Sequence, residues 1–306
     1  FAAGSEPFGL HPAMGSMQQL FETGAASIVA NIGPLIVPTT KDQFFNQSVP
    51  LPPQLFSHND QQDQWLTLRG KTPSKTGWAG RIADLIRTSV ATQQMATNAS
   101  LFGTSLWQSA DETIAYVMGQ TGPLAFTGFS DDPNDIAYDQ KRAFLRVVEA
   151  QYGSIYERAF AEIQKRAIDA ADSVSAAIDS APLLNTVFPS SQLGRQLETV
   201  ARLIGSRDQL QMQRQIFFVA TGGFDSHDDQ NENQPGLLGG LAVAGLQVHR
   251  VDRRAVGGQH RARDHAGTDG VGGPLPPQQR RLSGLIAQAG QHRRIRQYPS
   301  SPRATR

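Results

Sequence analysis

Apolar positions recur at helical steps over much of the chain and run without interruption in two short stretches. In residues 13–23, Met14, Met17, Leu20 and Phe21 fall on one side of a short helix that Gly24 ends. The apolar run at 26–32 predicts a buried strand. The next forty residues, rich in Pro, Gln, Asn and Asp, read as a long loop carrying PLPPQLFSHNDQQDQW, and loops of that length are usually functional or disordered. Residues 80–92 predict a helix. From 138 to about 178 the helical period is strong: Phe144, Val147, Val148, Tyr152, Ile155, Tyr156, Phe160 and Ile163 form one stripe at steps of three and four. A further helix over 191–205 ends at Gly205, and the apolar run 216–220 predicts a strand leading into Gly222 and Gly223. Helices alternating with strands predict an α/β fold, in which functional residues sit beyond the carboxyl ends of strands.

Composition divides the chain in two. Segment 250–306 holds twelve Arg, no Lys and three Asp, a net +9 that leaves −8 of the +1 total for residues 1–249. Only Tyr298 of the aromatic residues lies in that segment. From about Ala242 onward no helical or strand period is evident, and Arg, Gly, Gln and Pro dominate. The expected domains are therefore a body, 1–241, and a basic tail, 242–306, too poor in apolar surface to offset the entropy of ordering. A tail of this charge attracts nucleic acid or anionic lipid only electrostatically, and no specific nucleic-acid partner is expected. With no cysteine there is no disulfide framework and no thiolate metal site. No apolar run reaches the length of a membrane span. The first residue is Phe1 rather than Met, as expected after removal of a signal peptide or for a start inside a longer frame.

Two stretches carry candidate chemistry. In GGFDSHDD, Asp225 offers a carboxylate oxygen and His227 an imidazole nitrogen, a donor pair suited to a divalent metal such as zinc. Gly222 and Gly223 let the backbone turn sharply after the strand. The bland alternative is a solvated polar loop. In SHND, Ser57, His58 and Asp60 place a nucleophile, a base and a carboxylate within four residues, yet such groups normally converge from separate segments. Asx and Ser turns explain the same residues structurally. His11, before Pro12 at the start of a helix, reads as structural. The chain has no phosphate-binding loop with a Lys, no dinucleotide fingerprint and no nucleophile elbow.

Three stretches together resemble the bacterial family called domain of unknown function 1501: residues 9–33 (GLHPAMGSMQQLFETGAASIVANIG), 53–65 with 76–86 (PQLFSHNDQQDQW and TGWAGRIADLI), and 217–241, which opens FFVATGGFDSHDDQ. The resemblance covers residues 1 to about 241. It implies the alkaline-phosphatase-like superfamily: a three-layer α/β/α sandwich, here incomplete, whose strand-end loops hold divalent metals for phosphate- or sulfate-ester hydrolysis. It also implies twin-arginine export, hence a periplasmic or extracellular protein. On the same resemblance, Asp225 and His227 match a metal half-site, and Ser57 and His58 match a Ser-His pair near the reacting centre. Here Leu55 and Phe56 precede that pair and Asn59 follows it, unlike the family's usual Ser-Arg-Ser-His-Phe. The family's opening Gly-Gly-Asn-Asp-Gly-like loop, and its later Ser-Asp-Phe-Gly-Arg-Thr and Gly-Thr-Asp-His stretches, do not occur in this chain.

These departures meet the compositional break. A shift of reading frame near residue 242 produces such a tail, and codons for 246–259 can be chosen so that the next frame spells an amphipathic helix. A native basic tail is the alternative. The expected protein is thus an exported, metal-dependent hydrolase acting on an unidentified small-molecule ester, inactive as this fragment. The rival is a non-enzymatic exported binding protein on the same fold.

Overall fold

The computed structural model describes residues 2–3, 6–7, 9–29, 32–90, 95–124, 128–181 and 183–264, the last sixteen as helical backbone only. Two short antiparallel strands, β1 (Ala2–Ala3) and β2 (Glu6–Pro7), precede a 3-10 turn at Pro12–Met14 and helix α1 (Gly15–Glu22). Helices α2 (Lys41–Phe45), α3 (His58–Thr67) and α4 (Trp78–Ile86) follow. Strand β3 (Asn98–Ser100), a 3-10 turn at Leu106–Gln108 and strand β4 (Tyr116–Val117) come next. The chain continues through α5 (Ile136–Glu149), α6 (Ile155–Asp179), α7 (Gln192–Gly205), β5 (Ile216–Phe218) and α8 (Gln230–Asp264). Strands β4, β3 and β5 form a parallel sheet in that order, with Ala99 opposite Tyr116 on one side and Phe217 on the other. The described residues are a mixed α/β structure.

The core lies between this sheet and two helices. Ala99, Leu101 and Met118 from the strand region pack with Val174, Ala177 and Ile178 of α6 and with Val200 and Leu203 of α7. Helix α7 has Ser191 as its N-cap, the hydroxyl accepting the Gly194 N–H at 3.1 Å, and its second face meets α8. There Leu193 and Leu197 pack with Ala244, Leu241 and Val248. Across the sheet's other connection, α4 lies so close to the 3-10 turn that a Cβ on Gly80 would stand 1.9 Å from the Ser109 carbonyl oxygen. Glycine is required there by space rather than by backbone angle.

Several expectations are corrected. Residues 26–29 and 32 form no strand, and Val29 and Ile32 are exposed; a strand needs a hydrogen-bonding neighbour, and none of the described strands pairs with this segment. The long loop contains two helices. Each has a local start signal: a capping box of Thr40 with Gln43 opens α2, and Ser57 caps α3. The helical stretch 138–178 is two helices, because Ala150 is extended and Ser154 begins α6 by accepting the Tyr156 N–H. Regular structure also continues past residue 242, since α8 runs unbroken to Asp264. Leu241, Ala244 and Val248 keep an apolar face at steps of three and four, so burial against α7 continues past residue 242 as far as Val248. The rest of the expected tail, 265–306, lies outside the described residues.

Candidate functional site

The site begins where β5 stops. Pairing with β3 holds the strand, the Leu101 N–H donating to the Phe218 carbonyl at 3.0 Å. Two residues on, the fully buried Gln196 of α7 takes over as a neighbour. Its amide nitrogen donates to the Ala220 carbonyl at 3.1 Å, and its amide oxygen accepts the Ala220 N–H at 2.9 Å. The chain then turns at Gly223, whose φ of +95° favours glycine, with Leu237 of α8 packed beneath it. That turn delivers Asp225 and His227 to the surface beside the start of α8.

The second part comes from α3. Its N-cap, Ser57, accepts the Asp60 N–H at 3.4 Å, and its own N–H donates to the Gln54 carbonyl at 2.8 Å. Buried Gln64, two turns along, donates to the Pro53 carbonyl at 2.8 Å and pins the helix to the turn that precedes it. His58 therefore sits at the first helical position with its entry fixed.

The two parts meet. His58 Nδ1 and His227 Nε2 each stand 3.5 Å from the same oxygen, Oδ2 of Asp225. The imidazole centroids are 6.4 Å apart and tilted by 44°. At 3.5 Å these contacts are longer than good hydrogen bonds. All three side chains are about half exposed or more. Of the residues singled out from sequence, His58, Asp225 and His227 are thus brought together. Ser57 is engaged as a helix cap, and His11 accepts the Ala13 N–H at 3.1 Å to cap the first 3-10 turn. Sequence reasoning passed over Ser226. Its hydroxyl oxygen is buried with no hydrogen-bond partner among the described residues, and only its place between Asp225 and His227 signals it. Asp229 adopts φ +53° and accepts the Glu232 and Asn233 N–H groups, so it opens α8.

One carboxylate and two imidazoles are a donor set suited to zinc or a similar divalent ion. The separations of 3.5 Å from Asp225 Oδ2 are near the roughly 3.3 Å edge of a tetrahedron built on zinc–ligand bonds of about 2.0–2.1 Å. The rings, at 6.4 Å, stand wider than the roughly 5 Å of two histidines on one tetrahedral ion, so the imidazoles must close by more than an ångström. Among the described residues, no group of three or more His, Cys, Asp or Glu side chains is already arranged to hold a metal. The donor types fit, and closure requires side-chain movement on an exposed surface. No protein-family model, no curated protein and no solved structure matches this chain. Among the described residues no helix is long and apolar enough to cross a membrane.

Proposed function

We propose that this chain carries the strand-end half-site of an exported, metal-dependent phosphate- or sulfate-ester hydrolase, of the three-layer α/β/α type that the resemblance implies. The observation supporting this reading is the convergence of His58, from the start of α3, and His227, from beyond β5, on one oxygen of Asp225. Those segments lie far apart in sequence, and their meeting past the carboxyl end of a parallel strand is where such folds assemble chemistry. A bound divalent ion at such a site polarises the ester and activates a hydroxyl or water. Asp225, His227 and His58 would be the ligands. Export to the periplasm or the cell exterior rests on the same resemblance.

Ester turnover is not expected of this chain, because the candidate ligands are exposed and not gathered within one coordination sphere. The exposure of these side chains also favours the second reading, an exported binding protein that uses the fold without catalysis. Zinc titration of the full chain by calorimetry tests the site. The expected result is weak binding, on the order of 10 μM or poorer, since a catalytic zinc normally has three well-placed protein ligands. Asp225→Ala and His58→Ala should each weaken it further. Tight, stoichiometric binding that survives Asp225→Ala would sink the assignment. Zinc-dependent hydrolysis of 4-nitrophenyl phosphate, lost in Asp225→Ala, would instead overturn the expectation of inactivity.

A further inference from the structure

The chain leaves β3 and β5 toward opposite faces of the sheet. Ala99 is core with α6 and α7, and Phe217, opposite it in register, packs against the same cluster. Ser100 and Phe218 therefore turn to the second face. Trp107 stands over that face, its ring centroid 5.5 Å from that of Phe218, so the connection after β3 runs there. The connection after β5 runs instead to α8, which packs on α7. Adjacent parallel strands whose connections part in this way make a topological switch point, where open α/β sheets bind ligands. The bond from the Leu101 N–H to the Phe218 carbonyl, at 3.0 Å, joins the two strand ends. Beyond it the Ser100 hydroxyl donates to the Gly103 carbonyl and accepts the Phe102 N–H at 3.3 Å, which folds one loop back. Gln196 meanwhile draws Ala220 of the other loop toward α7.

The two loops wall a crevice, with Phe102, Gly103 and Thr104 on one side and Thr221 and Gly222 on the other, all exposed. A Cβ built on Gly103 or Gly222 would meet nothing within 4 Å. Helix α3, which carries His58, packs on the 106–108 turn, so the contact of His58 with Asp225 reaches from the β3 side of this opening to the β5 side. We infer that the crevice holds the alcohol part of the ester and that this part carries an aromatic ring, packed on Phe102. The inference rests on reading His58, Asp225 and His227 as the ion site. Charge sets the division of the substrate. Residues 101–105 and 219–224 include no charged side chain, whereas the ion held by the three donors takes the anionic phosphate or sulfate. The uncharged remainder extends along the crevice toward Phe102, whose ring is 43% exposed. Phe102 is then a specificity-determining residue, and the hydroxyls of Thr104 and Thr221 flank the ring it selects.

Titration of the full chain with 1-naphthyl phosphate, methyl phosphate and 1-naphthol, followed by ligand-observed NMR with and without zinc, tests this. With zinc, 1-naphthyl phosphate should bind roughly 3- to 10-fold more tightly than methyl phosphate, the range that one aromatic pair supplies. Phe102→Ala should bring the two within about twofold of each other, leave methyl phosphate unchanged and keep the circular dichroism of the wild type. A second variant, Thr104→Trp, fills the crevice while keeping Phe102 and should exclude both naphthyl ligands. The 1-naphthol arm needs no ion: weak binding without zinc, lost in Phe102→Ala and in Thr104→Trp, is expected. If zinc brings no phosphate binding at all, the ion reading fails and 1-naphthol still decides the crevice. A naphthyl preference that survives Phe102→Ala, or 1-naphthol binding that is absent or that both variants leave unchanged, would overturn the inference.

Discussion

Gln196 and Ala220 are joined by two hydrogen bonds that make a side chain serve as a strand. The amide of Gln196 donates to the Ala220 carbonyl at 3.1 Å and accepts its N–H at 2.9 Å, just where pairing with β3 has ended. Buried backbone groups need partners, so this helix residue holds the segment that leads into Gly223 and Asp225. Gln196→Ala removes both bonds from the half-buried Ala220. It is expected to cost about 2–4 kcal/mol, measured by urea unfolding, and to loosen the His58–Asp225 contact. Equal stability in the variant would show that the segment is held elsewhere.

Gly80 admits no side chain. A Cβ there would lie 1.9 Å from the Ser109 carbonyl oxygen, a backbone atom that cannot swing aside. Gly80→Ala should therefore destabilise by roughly 2–4 kcal/mol, beyond ordinary overpacking, although alanine is the better helix former. Gly15→Ala, where nothing lies within 4 Å of the added Cβ, is the control and should be neutral or slightly stabilising.

Asp84 links the end of α4 to the segment 111–113. Partial burial pushes its carboxyl up, but the N–H groups of Asp111, Thr113 and Glu112 donate to it and hold it below its ordinary value of 3.8. A carboxyl lower in the folded state stabilises fully above the unfolded value and loses that contribution as pH falls through the folded one. The stability gap between the wild type and Asp84→Asn should be constant above about pH 5 and shrink steadily below pH 4. A gap independent of pH in acid would refute the linkage.

Tyr116 on β4 should act at the alkaline end. Burial, with the Asp172 carboxylate adding to it, pushes the phenol up from 10.0 to about 12. Above pH 10 the unfolded chain releases this proton while the folded chain keeps it, so the linked stability falls as pH rises from 10 to 12. Tyr116→Phe should abolish that part of the alkaline loss. Phenolate absorbance should show a component titrating near pH 12 that is missing in Tyr116→Phe.

Local signals were enough for much of the fold. Helix α7 was legible because Leu193, Leu197, Val200 and Leu203 repeat at steps of three and four between a Ser191 cap and Gly205. Strand β5 was legible as a short apolar run before two glycines. The α2 and α3 starts were also written locally, in Thr40 with Gln43 and in Ser57, but loop-like composition masked them.

Periodicity reports which side chains favour burial; it does not report whether a surface exists to bury them. The run at 26–32 has strand character, yet no described strand lies beside it. The stripe of α6 is uniform in sequence but is core at Val174 and open at Phe160, because the sheet and α7 reach only its second half. The candidate site divides in the same way. Asp225 and His227 could be named from a motif, whereas their meeting with His58 depends on where α3 is pinned and where β5 ends. Contacts between segments that far apart are set by packing of the whole domain, and no local pattern in either segment encodes them.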